Sequence, residues 1–353
     1  MFEKDIGIDL GTADVSIYVR GRGIVLREPS LVAVDRGSGE LRAVGSDAMA
    51  LLGHSSGSIA AIRPIQGGVI ADYGMAERMI KAYLKKTLGG SPFKPNLVIC
   101  VPSGITEVEE RAVIDAGMQS GARRVYLIES PVAAALGAGL DISRPVGTMV
   151  VDIGGGTCDV AVLSLGSIVE STSCKAAGDR FDEALMRYLR RKANLLIGER
   201  AAEEVKRSIG CVMPREEPVS LTVRGRDLSS GFPRACEITS ADTQEAYASV
   251  AEEVTEAIRL VLERTPPELV SDIARDGIRL TGGGSLLYGM DRLITEKTGL
   301  PAYLADDAPA CAALGTGAAL ENLRDMPDGS AISVLVTPQY NESRAALYAR
   351  IDR

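Results

Sequence analysis

Two aspartates, each closing an apolar run and each followed by glycine, are the residues best placed to do chemistry. Asp9 precedes Leu10-Gly11-Thr12-Ala13-Asp14, and Asp152 precedes Ile153-Gly154-Gly155-Gly156-Thr157. A third glycine turn, Thr281-Gly282-Gly283-Gly284-Ser285, follows the strand-like stretch that ends at Leu280. Glycine lets backbone N–H groups approach phosphate oxygens closely, and a helix starting after the third turn would add partial positive charge. Tight-turn geometry alone explains any one of these turns, whereas three in one chain point to a nucleotide. A carboxylate buried at a strand end is costly unless a cation meets it, and magnesium accepts carboxylate, water and phosphate oxygens. Asp9 and Asp152 are therefore candidate magnesium ligands; the alternative is that each accepts hydrogen bonds within its own turn. The chain contains no Walker lysine motif and no G-x-G-x-x-G after its first strand, so P-loop and dinucleotide-fold readings lose their main support.

Strands must flank these turns. Asp5 to Leu10 alternates as a half-buried strand should and Val15 to Val19 resumes the pattern, so the first turn closes a β-hairpin. Met149 to Ile153 and Asp159 to Leu163 form a second hairpin of the same plan, which indicates a duplicated domain and not a solenoid. Further strands are expected near 24–34 and over 96–101, where Leu97-Val98-Ile99-Cys100-Val101 is apolar throughout. Met75, Met79, Tyr83 and Leu84 mark one helix face, and Thr106-Glu107-Val108-Glu109 reads as a capping box. Amphipathic helices are expected near 179–195 and 241–264, with short strands over 217–239 turning at Gly225. A strand from Gly277 to Leu280 leads into the third glycine turn.

With 353 residues, two domains are expected. Hydrophobic residues at 46% and charged residues at 24% belong to a globular chain. A net charge of −8 offers no field to draw in a phosphate backbone, so nucleic acid is not an expected partner. Six scattered cysteines and one histidine provide no zinc-ligand spacing, and free thiols in a reducing compartment are expected. Met1-Phe2-Glu3-Lys4-Asp5 has no leader pattern and no long apolar run occurs, so a cytoplasmic chain that spans no membrane is expected.

The three glycine motifs resemble the two phosphate loops and the adenosine loop of actin-like ATPases. More narrowly, the chain resembles the MreB/Mbl family of bacterial actin-like rod shape-determining proteins. The resemblance is carried by Ile62-Arg63-Pro64, Gly68-Val69-Ile70-Ala71-Asp72-Tyr73, Ile197-Gly198-Glu199-Arg200 and Glu263-Arg264-Thr265-Pro266-Pro267-Glu268-Leu269. It runs from Asp5 to Leu323. It implies an α/β actin-like ATPase fold, two related ribonuclease H-like domains with inserted subdomains around a nucleotide cleft. Domain I would be 1–145 with an insert over 33–65, and domain II 146–324 with an insert over 181–243. The helix near 309–324 would pack back on domain I, and the tail at 325–353 is unassigned.

The same resemblance implies ATP and Mg²⁺ as cofactors. Thr12, Ala13 and Asp14 with Gly154, Gly155, Gly156 and Thr157 would hold the phosphates, and Asp9 and Asp152 the hydrated Mg²⁺. Glu203 and Lys206, three apart and so on one helix face, would contact ribose and adenine, although alone they read as a surface ion pair. Gly282, Gly283, Gly284 and Ser285 would close the purine pocket. Family members usually carry Asn at the position of Asp14. They also usually carry a carboxylate before the proline of Ile128-Glu129-Ser130-Pro131, where it orients the attacking water. Here Ser130 stands at that point, so the catalytic candidates are Thr157, Ser130 and Asp159, with slow hydrolysis expected. The family polymerises into antiparallel double protofilaments on the inner membrane face and guides cell-wall synthesis. The expected partners are accordingly copies of itself, the membrane surface through Phe93 beside Lys85, Lys86 and Lys94, and cell-wall synthesis and membrane scaffold proteins.

Overall fold

The computed structural model describes residues 5–54, 57–89, 94–322 and 334–337. Phe93 and most of the 325–353 tail lie outside the described residues. The chain divides into two compact units, Met1–Pro145 with Ser164–Ile168 and Ala310–Arg353, and Val146–Leu163 with Val169–Pro309.

Unit 1 begins with β1 (Ile6–Leu10), β2 (Asp14–Val19), β3 (Gly23–Pro29), β4 (Val32–Asp35) and β5 (Leu41–Val44). It continues through α1 (Gly45–His54), β6 (Ile59–Ile62), β7 (Ile65–Gln66), β8 (Val69–Ile70) and α2 (Tyr73–Leu88). Next come β9 (Asn96–Val101), α3 (Glu107–Gln119), β10 (Arg124–Glu129) and α4 (Ser130–Gly137). Local signals explain the helix starts: Asp72 accepts the Met75 N–H at the head of α2, and Thr106 with Glu109 forms a full capping box on α3. β1 runs antiparallel to β2 and parallel to β9, whose apolar residues are buried as a central strand requires.

Unit 2 comprises β11 (Thr148–Ile153), β12 (Cys158–Ser164), β13 (Ser167–Cys174), α5 (Gly178–Lys192), β14 (Leu195–Leu196) and α6 (Glu199–Ile209). It continues with β15 (Ser220–Asp227), β16 (Pro233–Thr239), α7 (Ser240–Arg264), α8 (Pro267–Asp276) and β17 (Ile278–Thr281). A one-turn 3₁₀ helix at Gly283–Leu286, α9 (Met290–Thr298) and β18 (Ala302–Leu304) complete it. Its core clusters around Phe181 and Tyr247, which meet edge to face with ring centroids 5.2 Å apart. The chain then re-enters unit 1 with α10 (Cys311–Asn322) and β19 (Val334–Thr337). α10 lies flush on α4: a Cβ at Gly315 would come within 1.7 Å of the Ala133 carbonyl oxygen, and one at Gly137 within 1.8 Å of that of Cys311. Only glycine permits that approach.

The two main sheets repeat one strand order. Unit 1 reads β19-β10-β9-β1-β2-β3 and unit 2 reads β18-β17-β11-β12-β13 in the same sense, so β1 corresponds to β11 and β9 to β17. Small sheets β5-β4-β6 and β14-β15-β16 branch from the two units.

Two expectations are corrected, and one open stretch is assigned. Gly225 is not a turn: it pairs with Arg234 inside the β15–β16 ladder, and a side chain there would collide with the Leu196 carbonyl oxygen at 2.5 Å. The turn lies at 228–232, where Asp227 accepts the N–H groups of Ser229 and Ser230, each at 2.9 Å. The third glycine turn runs into the short 3₁₀ helix and α9 starts only at Met290, so no α-helix dipole stands at those glycines. Part of the unassigned tail, Val334–Thr337, is an edge strand antiparallel to β10.

Candidate functional site

In unit 1 the first glycine turn is tight: a Cβ on Gly11 would lie 2.6 Å from the Asp14 carbonyl oxygen. Thr12 is buried, and its hydroxyl oxygen accepts the Gly68 N–H at 2.9 Å, tying the turn to the β7–β8 hairpin. The Ala13 carbonyl accepts the Ser30 N–H at 2.8 Å, so the turn's backbone is held from the β3 side as well. Asp9 keeps some exposed surface, yet burial of its carboxyl raises the pKa to about 6, opposed by Arg27 and reinforced by Asp14. Among the described residues the Asp9 carboxylate has no hydrogen-bond or ion-pair partner. Such a carboxylate can serve as a cation ligand. Asp14 leans on the Arg27 guanidinium of β3 at 3.7 Å, both side chains being partly exposed.

Ser130 opens α4 and donates its hydroxyl to the Val101 carbonyl at 3.1 Å. Glu129 is the last residue of β10 and caps α4 without a side-chain hydrogen bond. One residue therefore separates a strand-end direction from a helix-start direction.

Unit 2 brings the second and third glycine turns together. β11 and β17 are parallel neighbours with Asp152 opposite Thr281, and the buried Thr281 hydroxyl donates to Asp152 Oδ1 at 2.9 Å. Gly282 has φ +79°, and a Cβ there would come within 2.3 Å of the Ile153 carbonyl oxygen and 2.8 Å of Asp152 Oδ1. Gly284 lies against Ile153 in the same way, at 2.5 Å from Cγ2, so these glycines are what allow one turn to rest on the other. Gly283 is open, while Ser285 is buried and donates to the Gly282 carbonyl at 2.6 Å. Gly154 N–H meets the Thr157 carbonyl at 2.8 Å, closing the second turn. Asp159 is buried directly across the ladder from Asp152, which puts two carboxylates on one face of the sheet.

The sequence reading missed the support behind this turn. The first N–H groups of α5 lack side-chain caps and are satisfied by the turn itself: Gly178 N–H bonds the Gly154 carbonyl at 3.1 Å and Asp179 N–H that of Gly155 at 2.8 Å. Lys206 reaches this junction, donating to the Gly178 carbonyl at 3.0 Å and to Asp182 at 2.6 Å. Glu203 and Lys206 do not pair with each other, since Glu203 bridges to Arg207 at 2.7 Å. The available signal was Asp182 itself, a carboxylate spaced with Leu185 and Leu189 on the buried stripe of α5.

Burial raises the Asp182 pKa to about 6, with the Lys206 charge and hydrogen bond pulling the other way. Its Oδ1 and the hydroxyl of buried Tyr247 lack hydrogen-bond partners among the described residues. A carboxyl whose folded pKa is raised contributes stability that is full below its unfolded pKa and lost as pH rises through about 6. Lowering the pH from about 7 to about 5 should therefore raise the urea midpoint of the wild type relative to Asp182→Asn, which cannot titrate there. Parallel midpoint-versus-pH curves for the two proteins would contradict this.

Among the described residues no group of three or more His, Cys, Asp or Glu side chains could enclose a metal ion. An ion held by Asp9 or Asp152 would complete its shell with water and phosphate oxygens, as Mg²⁺ does at nucleotide sites.

The chain matches the family model described as MreB/Mbl protein over residues 3–328. It is 49% identical over 328 residues to the cell shape-determining protein Mbl of Bacillus cereus, covering 93% of this chain and 98% of that one. It is 48% identical over 339 residues to the cell shape-determining protein MreB of Escherichia coli, covering 94% and 97%. The crystal structure of MreB5 of Spiroplasma citri bound to AMPPNP matches with a TM-score of 0.87 at 36% identity, covering 92% and 98% of the two chains. A MamK double helical filament shares the fold at a TM-score of 0.76 and 21% identity, covering 90% and 98%.

Proposed function

Because the chain belongs to the MreB/Mbl family, we propose that it is an actin-like cytoskeletal protein that binds ATP with magnesium, assembles into filaments and helps determine cell shape. The observation that carries the nucleotide reading is the seating of the third glycine turn on Asp152 and Ile153, which sets the open Gly283 backbone near a strand-end carboxylate. The MreB5 structures, which hold AMPPNP and ADP, support it.

In this reading Thr12, Ala13 and Asp14 with Gly154, Gly155, Gly156 and Thr157 bind phosphates, and Gly282 to Ser285 bind the purine. Glu203 serves the ribose by exchanging its exposed partner Arg207, whereas Lys206 must first leave Asp182. Asp9 and Asp152 hold the hydrated magnesium, which neutralises phosphate charge when bound; the unpartnered Asp9 carboxylate fits that role.

Asp14 is a carboxylate in a phosphate loop, and Arg27 compensates it. Asp14→Asn should tighten ATP binding by about two- to fivefold and Arg27→Ala should weaken it similarly, the range of an exposed ion pair, with both effects shrinking in high salt. Weaker binding in Asp14→Asn, measured by calorimetry, would instead make Asp14 a ligand.

Filament assembly is proposed on family grounds, as antiparallel double protofilaments at the inner membrane face with cell-wall synthesis and scaffold proteins as partners. No helix among the described residues is long and apolar enough to cross a membrane; in this reading attachment is peripheral. Phe93, outside the described residues, is the proposed contact; of the lysines near it in sequence, Lys86 is already engaged by Glu28. Sedimentation and electron microscopy of the purified chain over a range of concentrations, with and without ATP and lipid, test assembly. Paired filaments above a critical concentration are expected, and monomers under every condition would overturn the reading.

A second reading, a nucleotide-bound scaffold with little turnover, is favoured by one observation. Ser130, where relatives place a carboxylate, is short and already bonded to the Val101 carbonyl.

A further inference from the structure

Resting on the nucleotide reading of the second glycine turn, we propose that Lys206, seated by Asp182, is a positioning residue for that turn. Its ammonium acts on bound phosphate through two peptide groups and does not contact the purine.

A trans peptide group points its carbonyl oxygen and its N–H in opposite directions. Two such groups stand in series behind the turn. Lys206 Nζ donates to the Gly178 carbonyl at 3.0 Å, and the N–H of that same peptide, on Asp179, donates to the Gly155 carbonyl at 2.8 Å. The Gly155 carbonyl shares its peptide with the Gly156 N–H, which therefore points away from α5. Gly156 is buried, yet its N–H has no acceptor among the described residues, where a buried backbone donor ordinarily finds one. The preceding peptide is turned the same way: the Gly154 carbonyl accepts the Gly178 N–H at 3.1 Å, so the Gly155 N–H also points away from α5, and it too lacks an acceptor among the described residues. A cation at one end of a hydrogen-bonded series polarises every group in it, so the lysine charge makes the Gly156 N–H a stronger donor to an anion.

Asp182 fixes the cation at the head of this series. Its Oδ2 accepts from Lys206 at 2.6 Å, with side-chain exposures of only 15% for the lysine and 12% for the aspartate. A buried ion pair contributes little net stability relative to apolar residues of the same volume, so holding one charge in place is its use here. The packing around the junction is close: a Cβ on Gly178 would sit 3.3 Å from both Lys206 Nζ and Gly155 Cα. A purine contact would require Nζ to give up both bonds. Asp182, whose Oδ1 already lacks a partner among the described residues, would then stand buried without a counter-charge.

The full chain and its Lys206→Met variant are compared by amide hydrogen exchange without nucleotide, by calorimetric binding of ATP with magnesium, and by adenosine in competition with ATP. Exchange at Gly178 and Asp179 should be faster in the variant. ATP affinity should fall about three- to tenfold, the worth of one net hydrogen bond, while adenosine affinity stays within about twofold. The double variant Lys206→Met/Asp182→Asn strands no buried carboxylate and should show the same ATP loss. Wild-type exchange at Asp179 in both variants, equal losses of ATP and adenosine, or ATP affinity restored in the double variant would each overturn the proposal. A wild-type chain that binds no ATP would instead remove the nucleotide reading, and the exchange comparison would still decide whether Lys206 holds the turn.

Discussion

Replacing Asp9 or Asp152 by alanine is expected to weaken magnesium-dependent ATP binding by roughly 10- to 100-fold, the loss typical when a group orienting a metal's shell is removed. Each carboxylate would anchor the hydrated ion through water, so the metal-free affinity should change little while the gain on adding magnesium disappears. The two variants differ in their side effects. Asp9 has no hydrogen-bond partner among the described residues, so its removal strands nothing. Asp152 accepts from the fully buried Thr281 hydroxyl, and deleting it leaves that donor unsatisfied at a cost of about 1–3 kcal/mol. Asp152→Asn retains an acceptor oxygen and separates the two effects. Calorimetric titration of ATP with excess magnesium and with chelator gives the comparison. Wild-type affinity in both alanine variants under excess magnesium would end the assignment of these residues to the metal.

Ser130→Glu should accelerate phosphate release by up to roughly 10²-fold with little change in ATP affinity, since positioned acid–base groups contribute about 10²- to 10⁴-fold in rate. Serine at the head of α4 can hold a water by one hydrogen bond but cannot draw off its proton, and its own proton is committed to Val101. A glutamate at the first helical residue would meet the favourable end of the helix dipole, about 0.3–1 kcal/mol, so the variant should fold. Glu129 ends the preceding strand and should not substitute; Glu129→Gln should leave the rate unchanged. The wild type should hydrolyse slowly and form long-lived filaments. Single-turnover hydrolysis that does not respond to Ser130→Glu, or a wild-type rate equal to that of a relative with glutamate there, would remove the basis for calling the chain hydrolysis-impaired.

The parts legible in the sequence were those governed by chain neighbours. Alternation marked β1 and β2, the capping box marked the start of α3, and the repeated aspartate–glycine hairpin marked the duplication that appears as one strand order in both sheets. In each case the causal groups lie within a few residues, so their spacing carries the information. Gly225 misled because glycine serves both a turn and a crowded strand position, and only the Leu196 carbonyl beside it selects the second.

The partners of the candidate site residues were decided by the tertiary structure. Thr281 meets Asp152 across 129 residues of chain, Thr12 meets Gly68 across 56, and Lys206 turns to Asp182 and not to Glu203. The surroundings followed as well: the same residue type is desolvated at Asp9 and ion-paired with Arg27 at Asp14. By itself the sequence determined which residues stand at the three glycine turns and in which local frame. Packing decided what each of those groups touches, because burial and long-range contact depend on which segments fold against one another, and no periodicity within a segment encodes that.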